Sequence, residues 1–126
     1  MLRIHPPQNL TAFEPGMEVE FQVEWQLTEV PTKLEVRLVW HTTGKGDRDM
    51  KVVQTISLES PGPQGSQPVV LTLPWGPYSF SGKLISLLWG VELVVLPSKD
   101  SIRLDLTIAP HGEEVAIDTL QTITPS

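Results

Sequence analysis

From residue 17 to residue 27 apolar and polar side chains alternate without a break. Met17, Val19, Phe21, Val23, Trp25 and Leu27 are separated by Glu18, Glu20, Gln22, Glu24 and Gln26. A period of two places the two sets on opposite sides of a pleated strand, whereas a helix would spread the glutamates around its whole circumference. The segment is predicted as a half-buried antiparallel strand. The same reading predicts a strand over residues 33–42, with Leu34, Val36, Leu38 and Trp40 facing inward. A third is predicted over residues 50–58, with Met50, Val52, Ile56 and Leu58 inward and Gln54 breaking the alternation, as a bulge or a partly exposed face does. Val69, Leu71 and Leu73 give a short fourth strand, after a loop Ser60-Pro61-Gly62-Pro63-Gln64-Gly65-Ser66 whose prolines and glycines do not support a ladder.

Residues 83–96 carry apolar side chains at every odd position from Ile85 to Val95 and a mixture at the even ones, the pattern of a central strand buried on both faces. Ile102, Leu104, Leu106 and Ile108 predict a further strand, Leu2 and Ile4 a short edge strand, and Val115 and Ile117 another in a tail over residues 110–126 that is otherwise weakly structured. About seven strands at intervals of roughly ten residues, with no helical pattern between them, predict an all-β, immunoglobulin-like, two-sheet antiparallel sandwich formed by residues 1–126 as a single domain. Trp25, Trp40 and Trp89 fall on inward faces of three strands and are expected at the centre of the core.

Composition agrees with this picture. Twelve prolines and nine glycines leave little room for a long helix, and 40% hydrophobic residues suffice to close one core. Fifteen acidic against nine basic residues give a net charge of -6, the wrong sign for neutralising phosphates, so nucleic acid is not expected as a partner. The chain has no cysteine, which suits a reducing compartment, and the start Met1-Leu2-Arg3-Ile4-His5-Pro6-Pro7 lacks the apolar run of a secretory leader. A cytoplasmic location is expected, without membrane insertion, because the apolar stretch over residues 84–96 is interrupted and too short to span a bilayer.

Two segments go beyond generic strand pattern. One is Trp40-His41-Thr42-Thr43-Gly44-Lys45-Gly46-Asp47-Arg48-Asp49, and the other runs Leu73-Pro74-Trp75-Gly76-Pro77-Tyr78-Ser79-Phe80-Ser81-Gly82-Lys83 into the long strand ending beyond Trp89. The second resembles the proline, Ser-aromatic, Gly, long-strand stretch of arrestin-type domains. Together the two are most similar to bacterial arrestin-like proteins related to the sporulation-control family. The resemblance covers residues 16–108. It implies an apolar strand ending in a proline-rich corner, an aromatic packed under that corner and a glycine at the crossing between sheets, roles that would fall on Pro74, Pro77, Tyr78, Phe80 and Gly82. It also implies a scaffold or adaptor in place of an enzyme. Arrestins and many relatives carry two such domains, whereas this chain has room for one.

Catalytic and ligand-binding chemistry finds little support in the residues. Thr43-Gly44-Lys45-Gly46 lacks the hydroxyl residue after Lys and the following helix that a phosphate loop needs, and reads as a hairpin turn. Asp47 and Asp49 lack further acidic ligands nearby, and His5, His41 and His111 are scattered. No Gly-x-Ser-x-Gly elbow is present, and Glu18, Glu20 and Glu24 read as the solvated side of a strand. No catalytic, cofactor or metal residue is assigned. The expected function is a non-catalytic interaction or scaffold module that binds a protein partner or a second copy of the chain. The alternatives are a small hydrolase or metal-dependent enzyme using Asp47, Asp49 or His111, and a structural subunit of a larger assembly. The candidate contact residues are Trp75 and Tyr78 in the corner and Leu84, Leu88 and Val94, apolar side chains on the polar side of the long strand, which Val39 and Val53 adjoin if their strands are neighbours.

Overall fold

Wherever the alternation is clearest the backbone is extended. The computed structural model describes residues 1–44, 49–82, 85–110 and 115–117. Its strands are β1 (Leu2–His5), β2 (Ala12–Phe13), β3 (Glu18–Gln26), β4 (Lys33–Gly44), β5 (Met50–Glu59), β6 (Gln64–Thr72), β7 (Phe80–Gly82), β8 (Ile85–Leu96), β9 (Ser101–Ile108) and β10 (Val115–Ile117), with one 3-10 turn at Pro7–Asn9. Eight of these strands are the ones the pattern predicts or their extensions, the tail strand β10 among them, and β2 and β7 are short additions of two and three residues.

The strands form two sheets, and the all-β sandwich expected from the sequence is the fold observed. In the smaller sheet β3 lies between β1 and β6, antiparallel to both, with Leu2 opposite Trp25 and Glu18 opposite Thr72. In the larger sheet β5, β4 and β8 follow one another in antiparallel order. The other edge of β8 is divided end to end. Phe80 and Ser81 of β7 pair with its first residues, and β9 pairs from Trp89 to Val94. All long strands pair antiparallel as expected; the exceptions are two short parallel pairings, β2 on β9 and β10 on β7.

The inward residues of the two sheets make one cluster. Val19, Phe21, Val23 and Trp25 of β3 and Val69 and Leu71 of β6 belong to it with Leu34, Val36 and Leu38 of β4 and Leu87, Trp89, Val91, Leu93 and Val95 of β8. Trp89 is fully buried, and its indole N–H donates to the carbonyl of Pro77 at 2.8 Å, so burial leaves no orphaned donor. Trp25 is buried likewise and donates to the carbonyl of Gly62 at 3.2 Å. Trp40 is half-buried at the margin of the cluster and does not stand at its centre. Phe13 of β2 packs edge-to-face on Phe21, ring centroids 6.0 Å apart.

Two departures from the expected pattern have plain causes. The β4–β5 register slips so that Leu38 opposes Gln54 while Val39 opposes Val52, leaving Val53 as the extra residue of a bulge. Gln54 then turns toward the other sheet, where its Oε1 accepts from the Thr72 N–H at 3.2 Å and ties the exposed edges of β5 and β6 together. The predicted loop also ends early, because β6 already begins at Gln64. Gly65 admits the Trp25 ring, and a Cβ built there would stand 2.6 Å from it. Composition alone marks Gly65 as loop; its lack of a side chain is what lets the strand pass a tryptophan.

Candidate functional site

At the end of the sandwich where β3 begins and β6 finishes, two turns are stapled together. The turn preceding β3 places Gly16 at φ +82°, a left-handed conformation that glycine tolerates without strain. The Gly16 N–H donates to the carbonyl of Leu73 at 2.9 Å, and the Leu73 N–H donates to the carbonyl of Met17 at 2.8 Å. The chain then leaves the smaller sheet through Pro74, Trp75, Gly76, Pro77 and Tyr78 and enters the larger sheet at Phe80. Ser79 anchors the far end of this corner. It is 1% exposed, its N–H donates to the carbonyl of Ile108 at 2.8 Å, and its Oγ accepts from the Ile108 N–H at 2.9 Å.

Between these anchors Trp75 stands outward. The six-membered part of its ring abuts Gly16, where a Cβ would lie 2.6 Å from the indole, and yet the residue as a whole is 76% exposed. Tyr78 and Met17, 39% and 41% exposed, stand beside it. With Glu14, Pro15, Gly16 and Pro110 they line a groove of about 450 Å³. Covering the exposed part of such an indole is worth on the order of 3 kcal/mol, a gain the isolated domain leaves unrealised. A groove of similar size, about 460 Å³, lies at the opposite end between residues 27–31 and 95–100. Val30, 69% exposed, rims it together with Glu29 and Asp100, but no aromatic side chain among the described residues lines it.

The outer face of the larger sheet is a different surface. Val39 and Val94 point to this side, yet both are buried, and Leu88 is half-buried. Arg37, Glu92 and Arg103 stand in one row across β4, β8 and β9. Arg103 pairs with Asp105 at 2.7 Å and Glu92 at 3.7 Å, and its guanidinium occupies the space above Gly90, directly opposite Val39. Arg37 and Lys33 both bind Glu35; the Arg37 hydrogen bond above all, against some opposing desolvation, holds the Glu35 carboxyl below its ordinary value of 4.5. Charged side chains thus close this face over its valines. Of the apolar candidates on the long strand, Val94 is covered within the chain and Leu88 partly so, while Leu84 lies outside the described residues.

No protein-family model and no curated protein matches the chain. Among solved structures, Spo0M, the sporulation control protein of Bacillus subtilis, superposes with a TM-score of 0.59 at 17% sequence identity, over 87% of this chain and 49% of Spo0M. The fold is arrestin-like. The chain spans about half the length of the Spo0M structure, and at this identity the likeness concerns the fold alone.

Within the arrestin-like sandwich the corner does what its prolines and aromatics suggest, with the roles redistributed. Phe80, partly buried against the core, is the aromatic packed beneath it, whereas Tyr78 faces the groove. The passage between sheets is complete before Gly82, which pairs within β7. Met17, which alternation places inward, precedes β3 and lines the groove instead. Gly16 and Ser79 carry the geometry and were not singled out by pattern; the only signal for Gly16 is its place after Pro15 in a turn.

The remaining candidates do not converge. Thr42 and Asp49 close the β4–β5 hairpin through a Thr42 N–H to Asp49 carbonyl bond of 2.9 Å and an Asp49 N–H to Thr42 Oγ1 bond of 3.0 Å. Lys45, Gly46 and Asp47 lie outside the described residues, as does His111. His5 pairs with Glu24 at 2.8 Å on the outer face of the smaller sheet. Among the described residues no three His, Asp or Glu side chains come together in a way that could hold a metal ion.

Proposed function

We propose that this domain is a non-catalytic protein-interaction module that docks its partner at the Trp75–Tyr78 corner. The observation that carries this reading is the indole of Trp75, held against Gly16 on one side and left 76% exposed overall. Aromatic anchors of this kind dominate the energetics of protein interfaces, and a ring already fixed in place loses little side-chain freedom on binding. The charge-covered outer face of the larger sheet offers less, since Val39 and Val94 are already buried. A net charge of -6 favours a protein over a polyanion as the partner.

The test is affinity capture from the source cells with the natural chain, Trp75→Ala and Leu88→Glu as parallel baits. A protein retained by the natural chain and by Leu88→Glu but lost with Trp75→Ala supports the corner. Retention by Trp75→Ala with loss on Leu88→Glu moves the contact to the sheet face and contradicts the proposal.

A further inference from the structure

The turn that carries Gly16 is closed by a thioether. Met17 bends back over its own turn, where its Sδ accepts from the Glu14 N–H at 3.3 Å while its own N–H donates to the carbonyl of Glu14 at 3.4 Å. Its carbonyl accepts from the Leu73 N–H at 2.8 Å, so the same residue ties this turn to the strand end that leads into Pro74 and Trp75. The Met17 side chain is also part of the groove wall shared with Trp75 and Tyr78, and at 41% exposure it is open to a small oxidant from solvent. Met1 and Met50, 51% and 65% exposed, are oxidisable too, but neither is among the described residues that line this groove.

Oxidation by hydrogen peroxide is a two-electron step. A lone pair of Sδ attacks one peroxide oxygen, the O–O bond breaks and an S–O bond forms; the proton on the transferred oxygen passes to the departing hydroxide, which leaves as water, so sulfur is oxidised and the peroxide reduced. The new oxygen has two places to go. Between Sδ and the Glu14 N–H it pushes the sulfur back; pointing into the groove, it leaves that N–H facing an electron-poor sulfur that no longer accepts. In both arrangements the side chain shifts beside Gly16, on which the Trp75 ring leans, and the groove wall turns from apolar to polar. We propose, on the docking reading above, that Met17 makes the corner redox-sensitive: oxidation to the sulfoxide displaces the Trp75 ring and withdraws the docking surface, and reduction of the sulfoxide restores it.

The test follows the Trp75 indole N–H and the Glu14 amide in nitrogen–proton correlation NMR spectra, the indole assigned by its disappearance in Trp75→Phe. Spectra of the natural chain and of Met17→Leu are taken before and after hydrogen peroxide, with oxidation at each methionine read by mass spectrometry of the peptides. In the natural chain both resonances are expected to shift once Met17 is oxidised and to return after treatment with the two methionine sulfoxide reductases, one for each sulfur epimer. In Met17→Leu, which still oxidises at Met1 and Met50, the indole resonance is expected to stay in place. An indole unmoved at full oxidation of Met17, an equal shift in Met17→Leu, or a shift that the reductases do not reverse overturns the proposal. Photo-crosslinking to cell lysate from benzoylphenylalanine at position 78 reads docking itself: the protein adduct should be lost when the otherwise natural chain is oxidised and kept when Met17→Leu is. An adduct insensitive to oxidation leaves docking in place and removes only this proposal. No adduct from the unoxidised chain removes the docking reading and this proposal with it.

Discussion

Trp25 and Trp75 make the same local contact and come to opposite ends. Each indole lies against a glycine, Gly65 for Trp25 and Gly16 for Trp75, so close that a Cβ on either glycine would stand 2.6 Å from the ring. Trp25 sits on a strand, belongs to the core cluster, donates its N–H to the Gly62 carbonyl and is 5% exposed. Trp75 sits in a corner between two sheets and is 76% exposed. The glycine contact fixes a ring in both cases, and what differs is whether the remaining ring surface has protein to meet. In the first instance fixing serves packing. In the second it leaves an apolar surface that the described residues do not cover, which is the arrangement a partner can use.

This contrast can be broken by substitution. As the reference for a buried indole, Trp89→Ala is expected to cost about 3–5 kcal/mol by chemical denaturation, since it empties the middle of the core. Gly65→Ala is expected to cost about 1–3 kcal/mol, because Trp25 has no free space into which to retreat. Trp75→Ala should change stability by no more than about 0.5 kcal/mol while removing the docking surface. A large loss of stability there would show that Trp75 belongs to the folding core.

The smallest effect expected is electrostatic and lies on the other surface. The Glu35 carboxyl titrates below its ordinary value, so its ion pairs with Arg37 and Lys33 stabilise the folded chain above pH 4.5 and that contribution fades as the pH falls through the lowered folded value. Glu35→Gln should therefore flatten the acid limb of a stability-versus-pH curve and leave corner binding unaltered. An unchanged acid limb would mean that the Glu35 ion pairs contribute nothing measurable.

The sandwich was legible because its long strands alternate so regularly. Val19 to Trp25 on β3 and Leu34 to Leu38 on β4 have one pairing phase that hides the apolar set, and a one-residue slip would expose all of it. The proline-rich corner and Trp75 were also visible, as punctuation between two apolar strands. What pattern alone did not show depends on tertiary approach. Gly65 reads as loop until the Trp25 ring is seen over it, and Val94 reads as exposed until the charged row across β4, β8 and β9 closes around it. Met17 fits the alternation perfectly, yet it precedes the strand and turns to the groove, because the Leu73 N–H bonds to its carbonyl and holds the turn there. β2 was missed because two residues cannot display a period.

The most direct test of the central claim places a photo-crosslinking benzoylphenylalanine at position 78, beside an intact Trp75, in living source cells, with the same residue at position 30 as the control. Val30 is more exposed than Tyr78 and rims a groove of similar size at the opposite end of the sandwich, but no aromatic side chain among the described residues lines that groove. A discrete protein adduct from position 78 and none from position 30 is the predicted result. Adducts equally abundant at both positions, or at neither, would contradict the assignment of the Trp75 corner as the docking site.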